Sequence, residues 1–332
     1  MLSIASPLRH NDVSDLAAFV PNEVGTIVNH QTDIPRIAKD PQLTRLIEAS
    51  LGRVPTTHDL YLGDSREIPL LQPESVHLVL TSPPYWTLKR YRESTDQLGH
   101  IADYNDFLDE LDKVWQKSFA ALAPGGRLIC VVGDVCLSRR KNAGRHMVMP
   151  LHASIQERCR AIGYDNLAPI IWYKIANASY EVENGSSFLG KPYEPNAVIK
   201  NDIEFILMQR KPGGYRKPDL AKRILSIIPT AKYQQWFQQI WSDIPGASTA
   251  NHPAPFPRQL AERLIRMFSF VGDTVLDPFM GTGTTNIAAA LTGRNSIGIE
   301  VTDDYFAYAA TNLSVETQSL FSTAAQIHLH KK

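Results

Sequence analysis

The alternation of short apolar runs with longer amphipathic stretches constrains the fold of this chain most strongly. From residue 58 the order is strand, strand, helix, strand, helix, strand, strand, and after residue 257 it is helix, strand, helix, strand, helix. Such alternation is typical of an α/β protein built around a sheet that contains parallel strands. The seven predicted strands are DLYLGDS, SVHLVLTS, GRLICVVGD, APIIWYK, DIEFILMQR, DTVLDPF and NSIGIE.

The predicted helices carry apolar residues on one face and end at clear stop signals. The most regular one opens at Asp103 and places Phe107, Leu111 and Trp115 on a single stripe. We expect it to end at residues 124–126, where the sequence is Pro-Gly-Gly. The other predicted helices are PQLTRLIEASLG, LHASIQERCRAIG, RQLAERLIRMF, TTNIAAALTG and DDYFAYAATNL.

Charge and composition exclude several classes of protein. Lys plus Arg and Asp plus Glu both number 34, so no global charge indicates a polyanion or a membrane surface as partner. Cys130, Cys136 and Cys159 are too irregularly spaced for a disulfide framework or a zinc ribbon, and we expect no metal site. No apolar run approaches the roughly 18 residues that span a bilayer. We therefore expect a cytoplasmic protein with buried apolar thiols.

A composition shift suggests how the chain is divided. Between about residues 176 and 250 the pattern dissolves into segments rich in Gly, Pro, Gln, aromatic and basic residues. The predicted division is an appendage over 1–55, a first part of the main domain over 56–175, an inserted region over 176–250 that contributes the strand DIEFILMQR to the sheet, a second part over 251–316, and a tail over 317–332.

A glycine-rich turn stands between the predicted strand DTVLDPF and the helix TTNIAAALTG. Gly281 and Gly283 permit a tight turn and a close approach of backbone to ligand, and the following helix offers free N–H groups. Residue 286 is Asn, so the dinucleotide fingerprint is broken, and the turn has no lysine for a phosphate loop. The turn favours a nucleotide-like ligand; an ordinary strand–turn–helix connection is the alternative.

Two carboxylates narrow the class of ligand. Asp277 lies where a pyrophosphate would otherwise sit, and a cationic aminoacyl group would tolerate this charge well. Glu300, seventeen residues after Gly283, ends the next predicted strand, where an acidic side chain can accept both hydroxyls of a ribose. The sequence therefore predicts a ligand with a ribose and no phosphate, which S-adenosyl-L-methionine fits.

A rigid aromatic corner, TSPPYW, ends the strand SVHLVLTS. Pro83 and Pro84 fix φ and restrict the residue before them, so the chain stiffens where the strand stops. Taken together, TSPPYW and DPFMGTGTT resemble the amino-methyltransferases of DNA, which methylate an exocyclic amine. The order of the two motifs, with PPY first, resembles the circularly permuted β group of that family. The resemblance covers about residues 58–314.

This resemblance implies a fold, a cofactor and a substrate. The fold is the α/β, Rossmann-like fold of methyltransferases that depend on S-adenosyl-L-methionine, with a mixed seven-stranded sheet, permuted motif order and an inserted target-recognition region. The substrate is double-stranded DNA, from which the target base is flipped at a cost of a few kcal/mol. A restriction endonuclease acting on the same site is an expected partner.

The resemblance also assigns roles at the corner. Ser82 and the carbonyl of Pro83 would accept hydrogen bonds from the amine, Tyr85 would stack on the base, and Pro84 would keep the corner rigid. Residues expected to hold the cofactor are Asp64, Ser65, Thr81, Phe256, Asp277, Pro278, Phe279, Gly281, Gly283, Thr284 and Glu300. The segment VVGD, 131–134, matches a strand end that borders the base pocket, and Trp86 or Trp172 could form its walls.

Serine at position 82 bears on which base is methylated. In the family that this chain resembles, serine here is commonest among enzymes for N4 of cytosine, whereas Asp or Asn usually accompanies adenine. Attack on carbon 5 of cytosine would need a thiolate, typically after a proline, and no cysteine here follows one. N4 of cytosine is the favoured target; N6 of adenine, or a catalytically silent DNA-binding module, is the alternative.

Clusters of basic residues are candidates for contact with DNA phosphates. One cluster follows the strand GRLICVVGD, and another lies within the inserted region, where Asn, Gln and Arg side chains could read base edges. A solvated surface without a partner is the alternative for each cluster. The DNA-binding candidates are Trp86, Arg139, Arg140, Lys141, Arg210, Lys211, Arg216 and Lys217.

Overall fold

One mixed sheet organises the chain in the computed structural model, which describes residues 16–67, 71–86, 98–174, 201–246, 257–318 and 325–331. Nine strands of the described residues belong to this sheet, and a separate two-stranded ribbon lies beside it. The sheet strands are β1 Thr56–Leu62, β2 Val76–Thr81, β3 Leu122–Val132, β6 Asp165–Tyr173, β7 Ile203–Arg210, β8 Ile240–Trp241, β9 Thr274–Asp277, β10 Asn295–Glu300 and β11 Ala325–Lys331. The ribbon is β4 Val135–Leu137 with β5 Met147–Met149.

The strand order brings the two ends of the domain together. Across the sheet the order is β11, β1, β10, β9, β2, β3, β7, β6, β8, and β7 alone runs antiparallel to its neighbours β3 and β6. Late strands β9 and β10 therefore lie between early strands β1 and β2. Strands β1, β2, β3, β9 and β10 are linked through parallel pairs, so they end at one edge, called here the carboxyl edge.

The fold prediction is confirmed, and the structure adds to it. All seven predicted strands are present in a mixed sheet. The two additional strands are at its margins: β8 has only two residues, and β11 falls within the predicted tail. Strand β8 is too short to show a pattern, whereas β11 does alternate apolar and polar residues, with Ile327 and Leu329, and was missed in the sequence.

Helices cover both faces of the sheet because the strand side chains alternate between them. Val79 and Leu128 point toward the helices over residues 104–121 and 151–162, whereas Leu78 and Ile129 point toward the helices over residues 258–268 and 284–291. None of the helices of the described residues is long and apolar enough to cross a membrane. The helices are α1 His30–Lys39, α2 Pro41–Leu51, α3 Tyr104–Ala121, α4 Leu151–Ile162, α5 Leu220–Leu225, α6 Thr230–Trp236, α7 Arg258–Phe268, α8 Thr284–Leu291 and α9 Asp303–Gln318.

The helix α3 begins as predicted but ends earlier. The Asp103 side chain caps it by accepting hydrogen bonds from the backbone N–H groups of Asn105 and Asp106. The helix stops at Ala121, and residues 124–126 already belong to β3, where its register against β2 shifts. The Pro-Gly-Gly sequence therefore shapes an irregular strand entry instead of terminating the helix.

Residues 16–55 contain two α-helices where the sequence indicated one. Pro35 lies inside α1, and this proline obscured the helical pattern. Both helices pack their apolar faces onto the 220–229 region, with Ile37 and Ile47 against Ile224. The proposed division into domains stays a prediction.

Two of the three cysteines are buried in the core, as expected. Cys130 lies on β3 and Cys159 on α4, and burial raises the pKa of both thiols. Cys136 is partly exposed on the β4–β5 ribbon, and all three thiols are free. The buried pair behaves as small apolar side chains.

A buried ion pair stabilises the edge of the sheet opposite the carboxyl edge. Arg216 donates two hydrogen bonds, of 2.5 and 2.6 Å, to the carboxylate of Asp273, which directly precedes β9. Burial alone would raise the pKa of this carboxyl, but the Arg216 hydrogen bond and nearby positive charge outweigh it and keep the pKa below its usual value. The pair links the segment that follows β7 to the start of β9.

Replacing Arg216 with methionine should therefore destabilise the fold. We expect Arg216→Met to lower the free energy of unfolding by about 3–5 kcal/mol, because it leaves the buried Asp273 carboxylate unpaired. The exposed neighbour Lys217 provides the control, and Lys217→Met should change stability by at most about 0.5 kcal/mol. Urea unfolding of both variants measures the difference, and equal small losses would contradict a structural role for the pair.

Candidate functional site

The aromatic corner lies at the carboxyl edge, directly after β2. The Ser82 hydroxyl donates to the Tyr85 hydroxyl at 3.3 Å, and Tyr85 in turn donates a long hydrogen bond of 3.4 Å to the carbonyl of Val131 on β3. The Tyr85 ring is 6% exposed and packs with the core beneath α3. The structure thus places the corner formed by residues 82–85 next to Val131 and Gly133.

The two candidate tryptophans are used for packing. Trp86 has a left-handed backbone with φ of 43°, donates its indole N–H to the carbonyl of Ile101 at 2.9 Å and meets the Tyr104 ring edge-on. Trp172 is buried in the cluster on the other face of the sheet and donates to the carbonyl of Ile244. Both indole rings are buried, with Trp86 9% and Trp172 1% exposed.

The glycine turn after β9 has the backbone that its sequence implied. Gly281 and Gly283 have φ values of 53° and 83°, in the left-handed region that glycine favours. A Cβ on Gly283 would also lie 3.0 Å from the Cβ of Ala309 on α9, so the position is closed to larger residues. The turn delivers the chain into α8, whose first residue is Thr284.

The Asp277 carboxylate joins this turn to the aromatic corner. One oxygen accepts from the Thr81 hydroxyl at 2.7 Å and from the Phe279 N–H at 3.0 Å. The other accepts from the Thr285 hydroxyl at 2.6 Å. Burial raises the pKa of Asp277 to about 6, against the effect of these hydrogen bonds. Thr285 was missed in the sequence, where only the last threonine of GTGTT could have indicated it.

The Glu300 carboxylate lies beside the turn. It accepts from the N–H of Gly281 and from the N–H of Thr302, each at 2.9 Å, while the backbone N–H of Gly63 bonds the Glu300 carbonyl. Burial raises the pKa of Glu300 to about 7. The structure therefore gathers the ends of β1, β9 and β10 around Glu300, whose carboxylate suits the hydroxyls of a ribose.

The segment after β1 is held by an ion-pair network that the sequence did not reveal. Arg66 donates to both carboxylate oxygens of Asp64 and, at 2.7 Å, to Glu110 on α3. Ser65 is buried at the same turn, and Phe279 meets the edge of the Trp115 ring at 6.1 Å. Asp64 is thus linked to α3 through Arg66, and Phe279 packs against α3 through Trp115.

Polar side chains that sequence reasoning missed also line the base side of the corner. Glu204 on β7 lies beside Gly133 and forms an ion pair with Lys174. His152 on α4 bonds the Asp134 carboxylate at 2.7 Å and stacks on the Phe205 ring. These residues come from separate segments, so no local motif could have indicated them.

The basic candidates divide between the two edges of the sheet. Arg139 and Arg140 are exposed in a short 3-10 turn between β4 and β5, just past the carboxyl edge, and Lys141 belongs to the same turn. In contrast, Arg210 ends β7 opposite the start of β3, where it bonds the carbonyl of Gly213, and Lys211 bonds that of Leu122.

The structure does not bring the second group to the corner. Because β7 is antiparallel, Arg210 and Lys211 lie at the opposite edge, and Arg216 and Lys217 follow them there. Phe256 lies outside the described residues, as does much of the predicted recognition region.

Fold and site together define a methyltransferase that uses S-adenosyl-L-methionine. The sheet order and the glycine turn fit this cofactor, and the buried Glu300 acceptor fits its ribose. A family model described as DNA methylase, covering N6 and N4 enzymes, matches residues 76–311. The chain belongs to this family of DNA methyltransferases.

Two curated relatives are named as type II methyltransferases. The chain is 36% identical over 279 residues to M.MjaI of Methanocaldococcus jannaschii, an alignment that covers 75% of this chain and 88% of that protein. It is 37% identical over 272 residues to M.MthZI of Methanothermobacter thermautotrophicus, with 75% and 74% covered.

Solved structures share the fold. TTHA0409 of Thermus thermophilus, described as a candidate DNA modification methylase and solved with S-adenosyl-L-methionine, superposes with a TM-score of 0.66 at 50% identity, over 82% of this chain and 98% of that one. The cytosine-N4-specific PvuII DNA methyltransferase superposes with a TM-score of 0.56 at 21% identity, over 83% and 98%, which supports the fold alone.

Cofactor affinity should depend on the ionisation of Glu300. With its pKa raised to about 7, this carboxyl is largely protonated at pH 6 and ionised at pH 8, and the ionised form accepts hydrogen bonds more strongly. We expect the affinity for S-adenosyl-L-methionine to rise with pH through 7, by at most about tenfold per pH unit. Titration calorimetry from pH 5.5 to 8.5 measures it.

A matched pair of variants isolates this carboxyl. Glu300→Gln should bind the cofactor more weakly and with a flatter pH profile. Burial also raises the pKa of Glu262, on α7, and Glu262→Gln should keep the wild-type profile. If the affinity of Glu300→Gln changed with pH as steeply as that of the wild type, Glu300 would not be part of the cofactor site.

Proposed function

We propose that this protein transfers the methyl group of S-adenosyl-L-methionine to the exocyclic N4 of a cytosine flipped out of double-stranded DNA. The observation that carries the proposal is the 2.7 Å hydrogen bond between Thr81 and Asp277. Thr81 directly precedes Ser82 of the aromatic corner, and Asp277 directly precedes the glycine turn. The bond fixes the site for an amine beside the site for a methyl donor.

The chemistry requires an amine whose lone pair is available. Conjugation spreads the lone pair of N4 into the ring, and acceptors aimed at the amine hydrogens localise it. Ser82 and the carbonyl of Pro83 are these acceptors, and the two prolines hold them in place before the substrate arrives. The N4 lone pair forms the new bond to the methyl carbon, the carbon–sulfur bond breaks with its electrons left on sulfur, and the amine loses a proton to solvent.

The remaining residues divide between base, cofactor and DNA. Tyr85 stacks on the flipped base, which requires its buried ring to turn a face toward the pocket. Glu300 holds the ribose, the 278–284 turn surrounds the methionine part, and the exposed basic turn at 139–141 contacts phosphates near the corner. Asp277 acts through Thr81 and Thr285, because both of its oxygens are already hydrogen-bonded to the protein.

Two finer assignments follow from the motifs. Because the PPY corner precedes the glycine turn, the chain fits the β group, with target recognition between the two motifs. Because residue 82 is serine, the target is N4 of cytosine, with N6 of adenine on the same scaffold as the competing assignment. The enzyme would protect a DNA site from a partner endonuclease in a restriction–modification system.

Nucleoside mass spectrometry tests the reaction directly. DNA from a methylation-free host, incubated with the protein and S-adenosyl-L-methionine, should yield N4-methyldeoxycytidine after nuclease digestion. If N6-methyldeoxyadenosine formed instead, the target would be N6 of adenine and the assignment to cytosine would be wrong. Absence of both, with intact cofactor binding, would leave only a DNA-binding role.

Two variants separate base handling from cofactor handling in the same assay. Tyr85→Ala should reduce methylation by about 100-fold through lost stacking, while cofactor affinity stays within about threefold of wild type. Asp277→Ala should weaken cofactor binding first. A parallel loss of both properties in Tyr85→Ala would argue against the division of roles.

A further inference from the structure

An ion pair stands beside the aromatic corner, on the side away from the cofactor turn. Glu204 on β7 is 6% exposed, and its carboxylate bonds the Lys174 ammonium, which follows β6. A Cβ placed on Gly133 would lie 3.3 Å from Cγ of Glu204 and 3.7 Å from the Tyr85 ring. Glycine at position 133 thus lets the ion pair and the tyrosine approach each other.

The burial of the Glu204 carboxylate is not explained by a contribution to stability. A buried carboxylate is costly, and well-packed apolar residues of similar volume would often stabilise the fold more. The Lys174 side chain is 34% exposed, whereas that of Glu204 is 7% exposed, so the lysine forms the accessible end of the pair. The ammonium has three donors, and Glu204 uses one of them.

The identity of the flipped base determines which atom can accept a hydrogen bond from this lysine. In cytosine, the atoms that follow the amine along the same edge are N3 and the carbonyl oxygen O2, and both are acceptors. In adenine they are N1 and then a C–H group. A donor placed opposite the second position therefore hydrogen-bonds cytosine and loses a partner with adenine, a mismatch that polar sites penalise strongly.

We propose that Lys174, held by Glu204, is a specificity-determining residue of the base pocket and donates to the O2 carbonyl of the target cytosine. The inference rests on the proposed function of the Ser82–Tyr85 corner. Glu204 has a second effect, because an uncompensated cation at O2 would draw electron density from the amine and slow its attack. The neutral ion pair orients the base without this penalty.

The chain offers a closely matched control lysine. Lys174 lies 5.5 Å from the Trp172 ring centroid and pairs with Glu204, whereas Lys232 lies 5.7 Å from the Trp236 centroid and pairs with Glu48. The exposed fractions of the two side chains are 34% and 36%. Lys232 belongs to α6 and packs toward α2, so its loss reports the structural cost of removing such a lysine.

The experiment measures steady-state methylation of a duplex that carries the site mapped by sequencing methylated plasmid DNA. Lys174→Met should lower kcat/KM on this duplex by about 10–100-fold, as expected for a lost hydrogen bond from a charged donor. Lys174→Arg should stay within about fivefold of wild type. Cofactor affinity and thermal midpoint should match those of Lys232→Met, which keeps wild-type activity.

Selectivity and a second variant complete the test. A second duplex carries adenine at the target position. The ratio of kcat/KM for cytosine to kcat/KM for adenine should be about tenfold smaller in Lys174→Met than in the wild type. Glu204→Gln should lower kcat more than it changes KM, because the lysine charge is then uncompensated; this variant decides the matter if Lys174→Met does not fold.

Two results would overturn the assignment, and both differ from failure of the proposed function. Wild-type kcat/KM in Lys174→Met, or equal losses in Lys174→Met and Lys232→Met, would show that Lys174 does not read the base. Failure of the proposed function would appear in the wild-type protein itself, as a lack of N4-methylcytosine in the product.

Discussion

The hydrogen bonds of a single buried carboxylate connect the two halves of the site. Asp277 accepts from Thr81 on β2 and from Thr285 on α8, two residues that are 204 positions apart in the sequence. Each hydroxyl satisfies one carboxylate oxygen in a fully buried setting, where an unpaired charge would be costly. A change in this contact would move the aromatic corner and the glycine turn relative to each other.

The order of strands explains why so late a segment completes the site. Strands β9 and β10 come after the inserted region but pair between β1 and β2, so the chain returns to the centre of its own sheet. Every parallel strand then ends at the carboxyl edge, where ligands bind in open α/β sheets. Strand β7 runs antiparallel to the others, so it begins at the carboxyl edge and ends at the opposite one. It therefore places Glu204 at the carboxyl edge and Arg210 at the opposite edge.

Much of this architecture was predictable, because it depends on local signals. Apolar alternation and helix caps identified the seven core strands and helices such as α3 from Asp103. Pro35 concealed α1, and residues 124–126 were interpreted as a helix stop although they enter β3. In both cases tertiary packing overrides a local preference.

The site was predictable only where its residues belong to motifs. Ser82, Tyr85, Asp277 and Glu300 carry sequence signatures, and the structure brings them to one edge. Contacts such as Lys174 with Glu204 join separate strands and leave no trace in local sequence. The position of Arg210 could not be predicted either, because it depends on the direction of β7, which basic composition does not reveal.

We propose that the aromatic corner holds an extruded base with its amine facing the methyl donor. A crystal structure with a non-transferring cofactor analogue and a duplex that carries the mapped site measures this most directly. The account predicts the amine nitrogen within about 3–3.5 Å of the methyl position, with Ser82 and the Pro83 carbonyl on its hydrogens. A target base that stays stacked in the duplex, or that lies away from Ser82, would contradict it.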